Sequence, residues 1–143
     1  MALDAGFNCI ATDLKEIDTS NTIKMFFFAE PALLQPIYEQ LKARYGEQIN
    51  LTFSLDKCLE VMHADTNKGA AVQTVLADKA LLAEHAIAFG DAMNDVEMLN
   101  LVAKPVLMAN SQQRLRLALP DAEFTLSAKK DGVAVMMDKL LTR

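Results

Sequence analysis

The stretch Ala86-Ile87-Ala88-Phe89-Gly90-Asp91-Ala92-Met93-Asn94-Asp95 decides how this chain is read. Four apolar residues without alternation, stopped by a glycine, suit a short strand buried on both faces of a parallel sheet. Open α/β sheets carry their sites beyond the C-terminal ends of the strands, and residues 90–95 leave this strand at that end. Gly90 lets the backbone turn, Asp91 stands at the strand tip, and Asn94 and Asp95 follow one turn later. Two carboxylates and an amide in five residues form a hard, all-oxygen donor set, which suits Mg2+ rather than zinc. Gly, Asp and Asn are equally at home in a turn with a helix cap, so the loop alone leaves both readings open.

Working outward, the same rhythm repeats on either side. Upstream, Asn67 is a good N-cap, and Val72, Val75, Leu76 and Leu82 mark a helix over about 68–82. Downstream comes a helix through Val96, Met98 and Leu99, a buried strand over 106–109, and a helix over 112–119 stopped by Pro120. A last strand over 124–126 and a helix beginning at Asp131-Gly132 complete the run. Strand and helix in alternation are the signature of a parallel sheet covered by helices.

The first part of the chain is patterned differently. Ile23 to Ala29 is β-rich, and Pro31 opens a helix through Leu33, Leu34, Ile37, Tyr38 and Leu41 that Gly46 stops. Residues 49–55 alternate as a half-buried strand does, and 59–62 form another strand after a turn at Asp56-Lys57. Before residue 23 the only strand candidate is Cys9 to Thr12. The expectation is therefore an α/β protein with a small α+β module over 1–62 and an α/β module over 66–143.

Composition narrows the function. The chain has 143 residues, 52% of them apolar and 23% charged, enough for a packed core. A net charge of −5 with no Lys/Arg-rich run argues against nucleic acid as a partner. The longest apolar stretch of the N-terminal part, Met25 to Ala29, is far too short for a membrane helix, and no signal peptide is visible. Cys9 and Cys58 are too few for a disulfide scaffold or a four-ligand zinc site. These features predict a soluble cytoplasmic protein. The methionines read as core filling, His63 as a linker residue and His85 as structural or solvated. Arg114 and Arg116, two apart on a helix, face different ways and make no anion clamp.

Thr66-Asn67-Lys68-Gly69 adds a cation. A lysine in the first turn of a helix opposes the dipole unless something anionic is near, and helix N-termini bind phosphate through free N–H groups. Lys68 opens the helix directly before the strand that ends in Asp91, so a right-handed connection brings both to one edge of the sheet.

Taken together, Asn67-Lys68-Gly69, Ile87 to Asp95, Met108-Ala109-Asn110 and Asp131-Gly132-Val133 resemble, in order and spacing, the C-terminal half of the Cof-type haloacid dehalogenase-like (HAD-like) phosphatases. Cys58-Leu59-Glu60-Val61 and the 90–95 loop look closest to the sugar-phosphate and hydroxymethylpyrimidine-pyrophosphate phosphatases. The resemblance implies a three-layer, Rossmann-like core, of which 66–143 would be the last part, preceded at 1–62 by part of an α+β cap. It implies a Mg2+-dependent phosphatase of small phosphorylated metabolites. Lys68 would be catalytic and substrate-binding, stabilising charge on the phosphoryl group. Asn94 would contact the phosphoryl oxygens. Asp91 would ligate the metal, and Asp95 would hold the metal's water shell or orient Lys68.

The chain departs from that pattern at its start. The family's nucleophile motif, Asp-x-Asp-Gly-Thr after an apolar strand, is absent: Leu14, Lys15 and Glu16 follow Asp13, and Asp4-Ala5-Gly6 fits no better. The chain thus reads as a C-terminal piece without its nucleophile, and the alternative is a fragment or degenerate relative that binds Mg2+ and phosphate without turnover. Without the nucleophile strand, strand 86–89 would be an open apolar edge through which copies associate. A receiver-type phosphoacceptor domain shares an acidic pair and a lysine, but in the reverse order. Glu60, near the junction of the two modules, is a candidate for facing a substrate.

Overall fold

The computed structural model describes residues 10–13 and 15–142. Two three-stranded sheets organise them. The first holds β1 (Met25–Phe28), β2 (Ile49–Leu55) and β3 (Cys58–His63) in the order β1-β3-β2, all antiparallel. Helix α1 (Pro31–Tyr45) crosses between β1 and β2, beginning at proline and ending where Gly46 takes a φ of 53°. Period-two alternation gives this sheet two different faces. Leu51 pairs with Val61 and Phe53 with Leu59 on one face, where Phe53 and Leu59 close over Leu34 of α1, with Ile37 and Tyr38 beside them. Asn50 pairs with Met62 and Thr52 with Glu60 on the other.

The second sheet holds β4 (Ile87–Gly90), β5 (Lys104–Met108) and β6 (Glu123–Thr125), parallel and in chain order. Helices α2 (Lys68–Asp78), α3 (Val96–Leu101), α4 (Gln113–Ala118) and α5 (Gly132–Leu141) lie before, between and after these strands. Ala88, Leu99, Val102, Leu107, Leu115, Leu119 and Ala122 form its core. The alternation expected from the sequence is the one observed, in an α/β arrangement.

Four local expectations are corrected. Strand candidate 9–12 begins at Cys9, which lies outside the described residues, as does Asp4-Ala5-Gly6. Residues 10–12 form no strand and pair with none among the described residues. Helix α2 ends at Asp78 rather than 82, because Ala80 adopts a left-handed φ of 52° and the Leu81 N–H turns back to Leu76 O at 2.8 Å. Strand β4 is not buried on both faces: Ile87 is 39% exposed, and β4 forms one edge of its sheet among the described residues. Leu33, placed on the apolar side of α1 by its spacing, is 64% exposed. No helix of the described residues is long and apolar enough to cross a membrane.

Contacts at two points join the modules. The Arg114 guanidinium of α4 lies 4.7 Å over the ring of Phe53 and 4.0 Å from Asp56. Asn50 Nδ2 donates to Thr66 O at 2.7 Å, tying β2 to the segment that enters α2. Leu34 is fully buried in the first module, so Leu34→Ala should cost about 2–5 kcal/mol in urea unfolding. Leu33→Ala, one position away on the exposed side, should stay within about 0.5 kcal/mol. Equal losses would mean that α1 packs on a different face.

Candidate active site

The site begins with a helix cap. Asn67 Oδ1 accepts from the Ala70 N–H at 2.8 Å, fixing the first turn of α2 and making Lys68 its first residue. Gly69 then lets α2 approach α3: a Cβ there would stand 2.8 Å from the Glu97 carbonyl carbon. With the helices this close, Lys68 Nζ reaches across to pair with Asp95 Oδ1.

Asp95 sits in the turn between β4 and α3, with its side chain only 6% exposed. A buried carboxylate is costly unless its oxygens are hydrogen-bonded, and here both are. Oδ1 takes the lysine, and Oδ2 accepts the N–H groups of Asp91 and Ala92 at 2.9 and 3.1 Å. This arrangement requires Gly90, where a Cβ would lie 2.7 Å from Asp95 Cβ and 2.8 Å from Leu99 Cδ1. The sequence read Gly90 as a turn residue; its stronger role is to leave room for the carboxylate behind it.

Asp91 is exposed at the tip of β4. Its Oδ2 accepts from Asn110 Nδ2 at 3.1 Å, and its carbonyl accepts the Gln112 N–H at 2.8 Å. Asn94 lines the space beside Lys68, and its Oδ1 is buried without a hydrogen-bond partner. Lys68, Asn94, Asp91 and Asp95 are thus gathered at one end of the second sheet. Asp91 offers an exposed oxygen, whereas both oxygens of Asp95 are already engaged, by three donors in all. Among the described residues no three His, Cys, Asp or Glu side chains converge on one point. In chemistry the donor set suits a hard cation, and Asp91 supplies it with an exposed carboxylate oxygen.

Above Lys68 lies the polar face of the first sheet. A cleft of about 240 Å3 separates them, lined by Lys24, Thr52 and Glu60 on one side and Lys68, Asn94 and Glu97 on the other. Lys24 Nζ binds Glu60 Oε2 at 2.7 Å. Burial raises the Glu60 carboxyl, but hydrogen bonds from Lys24 and Ser54 and the charges of Lys24 and Lys68 outweigh it, holding the group below the ordinary carboxylate range. His63 is exposed beside Asp65, and His85 beside Glu84. Asp13 lies in an exposed irregular segment, with its carboxylate accepting the Lys15 N–H at 3.0 Å. Lys24, Thr52, Asn110 and Gln112 were not legible as site residues. Asn110 lay within a matched motif, but nothing in its spacing announced a bond to Asp91.

Comparison with known proteins places the chain in a family. The model of a family described as haloacid dehalogenase-like hydrolase matches residues 3–137. The HMP-PP phosphatase of Cronobacter sakazakii is 37% identical over 130 residues, covering 91% of this chain and 48% of that protein. The HMP-PP phosphatase of Yersinia pestis is 32% identical over 130 residues, with the same coverage of 91% and 48%. A haloacid dehalogenase-like hydrolase structure from B. subtilis superposes with a TM-score of 0.76 at 23% identity, over 87% of this chain and 44% of that one. The chain therefore spans about half the length of the curated relatives it matches. With the family's pattern running through nearly all of its residues, this chain belongs to the haloacid dehalogenase-like hydrolases.

Proposed function

We propose that this chain carries the lysine- and metal-bearing half of a phosphatase site that hydrolyses small phosphorylated metabolites. The observation that carries the reading is the buried Asp95 carboxylate, which joins the Lys68 ammonium to the backbone beneath Asp91. Phosphoryl transfer is catalysed mainly by positioning and by preorganised charge. Lys68 neutralises phosphoryl charge, and Asp95 orients it. Asn94 contributes its amide to the phosphoryl oxygens, its buried Oδ1 being ready for a donor such as a bound water. Asp91 gives one ligand to Mg2+, which when bound would add charge neutralisation at the transferring group. Asp95 acts through Lys68 rather than as a direct metal ligand.

The leaving group would occupy the cleft under Glu60 and Thr52. Relatives named HMP-PP phosphatase support a pyrimidine pyrophosphate as one substrate, and the Thr52, Glu60 and Lys68 side chains at the cleft suit sugar phosphates equally. The nucleophile would come from outside the described residues, since Asp13 is held in an irregular turn with no second aspartate two positions on. A second reading, binding of phosphate and Mg2+ without turnover, is favoured by that same absence among the described residues.

Hydrolysis of p-nitrophenyl phosphate with and without Mg2+ separates these readings. The 143-residue chain should show no turnover beyond an Asp91→Ala control. Mg2+-dependent turnover abolished in the control would place a nucleophile within the chain. Inorganic phosphate should shift the amide resonances of residues 67–69 and 94, and Lys68→Met should weaken that binding at least tenfold. Unchanged binding would reduce Lys68 to a structural partner of Asp95.

Glu60 supplies a pH test. Its carboxyl is lower in the folded state than its ordinary value of 4.5, so its contribution to stability is present above about pH 4.5 and is lost as the pH falls through the folded value. The stability gap between wild type and Glu60→Gln should therefore close on acidification. A gap that widened on acidification would overturn the assignment.

The free edge of β4 carries the last part of the proposal: a further strand covers it, from a second copy in solutions of this chain alone. Light scattering should show a dimer that dissociates when Ile87, on the exposed edge, is replaced by lysine. A monodisperse monomer would remove self-association.

A further inference from the structure

We propose that Gln112 is a positioning residue for Asp91, acting with Asn110 through the loop between β5 and α4; the inference rests on reading Asp91 as the metal-facing carboxylate. Of the six main-chain groups of the turn 91–93, the Ala92 and Met93 carbonyls accept the N–H groups of Asp95 and Val96, and four are met in other ways. Two of them, the N–H groups of Asp91 and Ala92, go to Asp95. The other two go to Gln112. Its backbone N–H donates to Asp91 O at 2.8 Å, and its Oε1 accepts the Met93 N–H at 3.0 Å. A single residue therefore grips the turn on both sides of Ala92.

Gln112 stands at the N-cap position of α4, yet its side chain makes no capping bond to its own helix. That side chain is directed to the neighbouring loop instead. Asn110, two residues earlier, holds the Asp91 side chain: Nδ2 donates to Asp91 Oδ2 at 3.1 Å, while Oδ1 accepts the Ala128 N–H at 3.0 Å. Arg116 braces the same loop, with Nη2 donating to Ala109 O at 2.6 Å and Nε to Ser111 Oγ at 3.0 Å. Asp91 is thus fixed at its carbonyl and at one carboxylate oxygen by one loop, and among the described residues no hydrogen bond reaches Oδ1. Partners that orient a metal ligand from behind typically change metal affinity by ten- to a hundredfold when removed.

The test uses Mn2+ as a paramagnetic probe on the isotopically labelled chain, with Mg2+ as competitor. Mn2+ should broaden the amide resonances of residues 91–93 in wild type and fail to do so in Asp91→Asn. Gln112→Ala should weaken the apparent Mg2+ affinity about tenfold, whereas Gln112→Glu, which keeps an oxygen acceptor, should stay within about twofold. Melting midpoints of both variants report stability separately. If Asp91→Asn abolishes broadening but Gln112→Ala lowers only the melting midpoint, the positioning role is overturned while the Asp91 reading stands. Equal weakening in the Glu and Ala variants overturns the acceptor role in the same way. If wild type shows no broadening at 91–93, or Asp91→Asn retains it, the Asp91 reading fails and this inference with it.

Discussion

A carboxylate taken out of water needs partners, and Asp95 organises this molecule by needing three of them. The effective penalty for burying such a charge is several kcal/mol. Two backbone N–H groups and the Lys68 ammonium offset it only if the β4 terminus, the first turn of α2 and the start of α3 stand in fixed relation. Gly90 and Gly69 are required for steric reasons, because a side chain at either would push apart elements that Asp95 holds together. The Asn67 cap belongs to the same constraint, since it sets where α2 begins and so where Lys68 points. What reads along the chain as two separate motifs is a single electrostatic object in space.

The first sheet matters to this object through its alternation. One face is apolar and closed by α1; the other carries Asn50, Thr52 and Glu60 toward Lys68. Shifting β3 by one residue would exchange those faces, so the pairing of Thr52 with Glu60 is what keeps a polar wall over the site. Arg114 contributes by packing on Phe53, whose ring belongs to the core of that sheet. Arg116 points to a different partner, the Ala109–Ser111 loop. Their separation on the helix sends them to different sides, but it gave no hint of either contact.

Local chemistry was legible and tertiary placement was not. The strands of both sheets and the cap at Asn67 follow from periodicity and turn residues, which are local signals. The end of α2 was misread because its stop is a left-handed alanine, where apolar spacing carries no mark of backbone conformation. Burial of β4 was misread because an apolar run reports what a strand prefers, whereas the open edge, which the absent nucleophile motif did imply, leaves Ile87 exposed. Lys24 and Gln112 were invisible for a related reason: each acts on a residue far along the chain, Glu60 and Met93 respectively, and neither stands in a pattern of its own.

On the proposed phosphatase reading, the described residues divide the labour of phosphoryl chemistry unevenly. Lys68 offers charge, Asp95 fixes that charge, Asn110 and Gln112 fix Asp91, and none of them needs to form a bond to phosphorus. Preorganised charge of this kind draws its cost from folding rather than from the reaction, so it must be built into a stable core. That is where it is found, against Leu99 and the buried strands of the second sheet. A nucleophile, by contrast, needs only to be delivered to the same sheet end on an adjacent strand. On the same reading, the edge of β4 that is open among the described residues lies beside Asp91 and is where such a strand would pair.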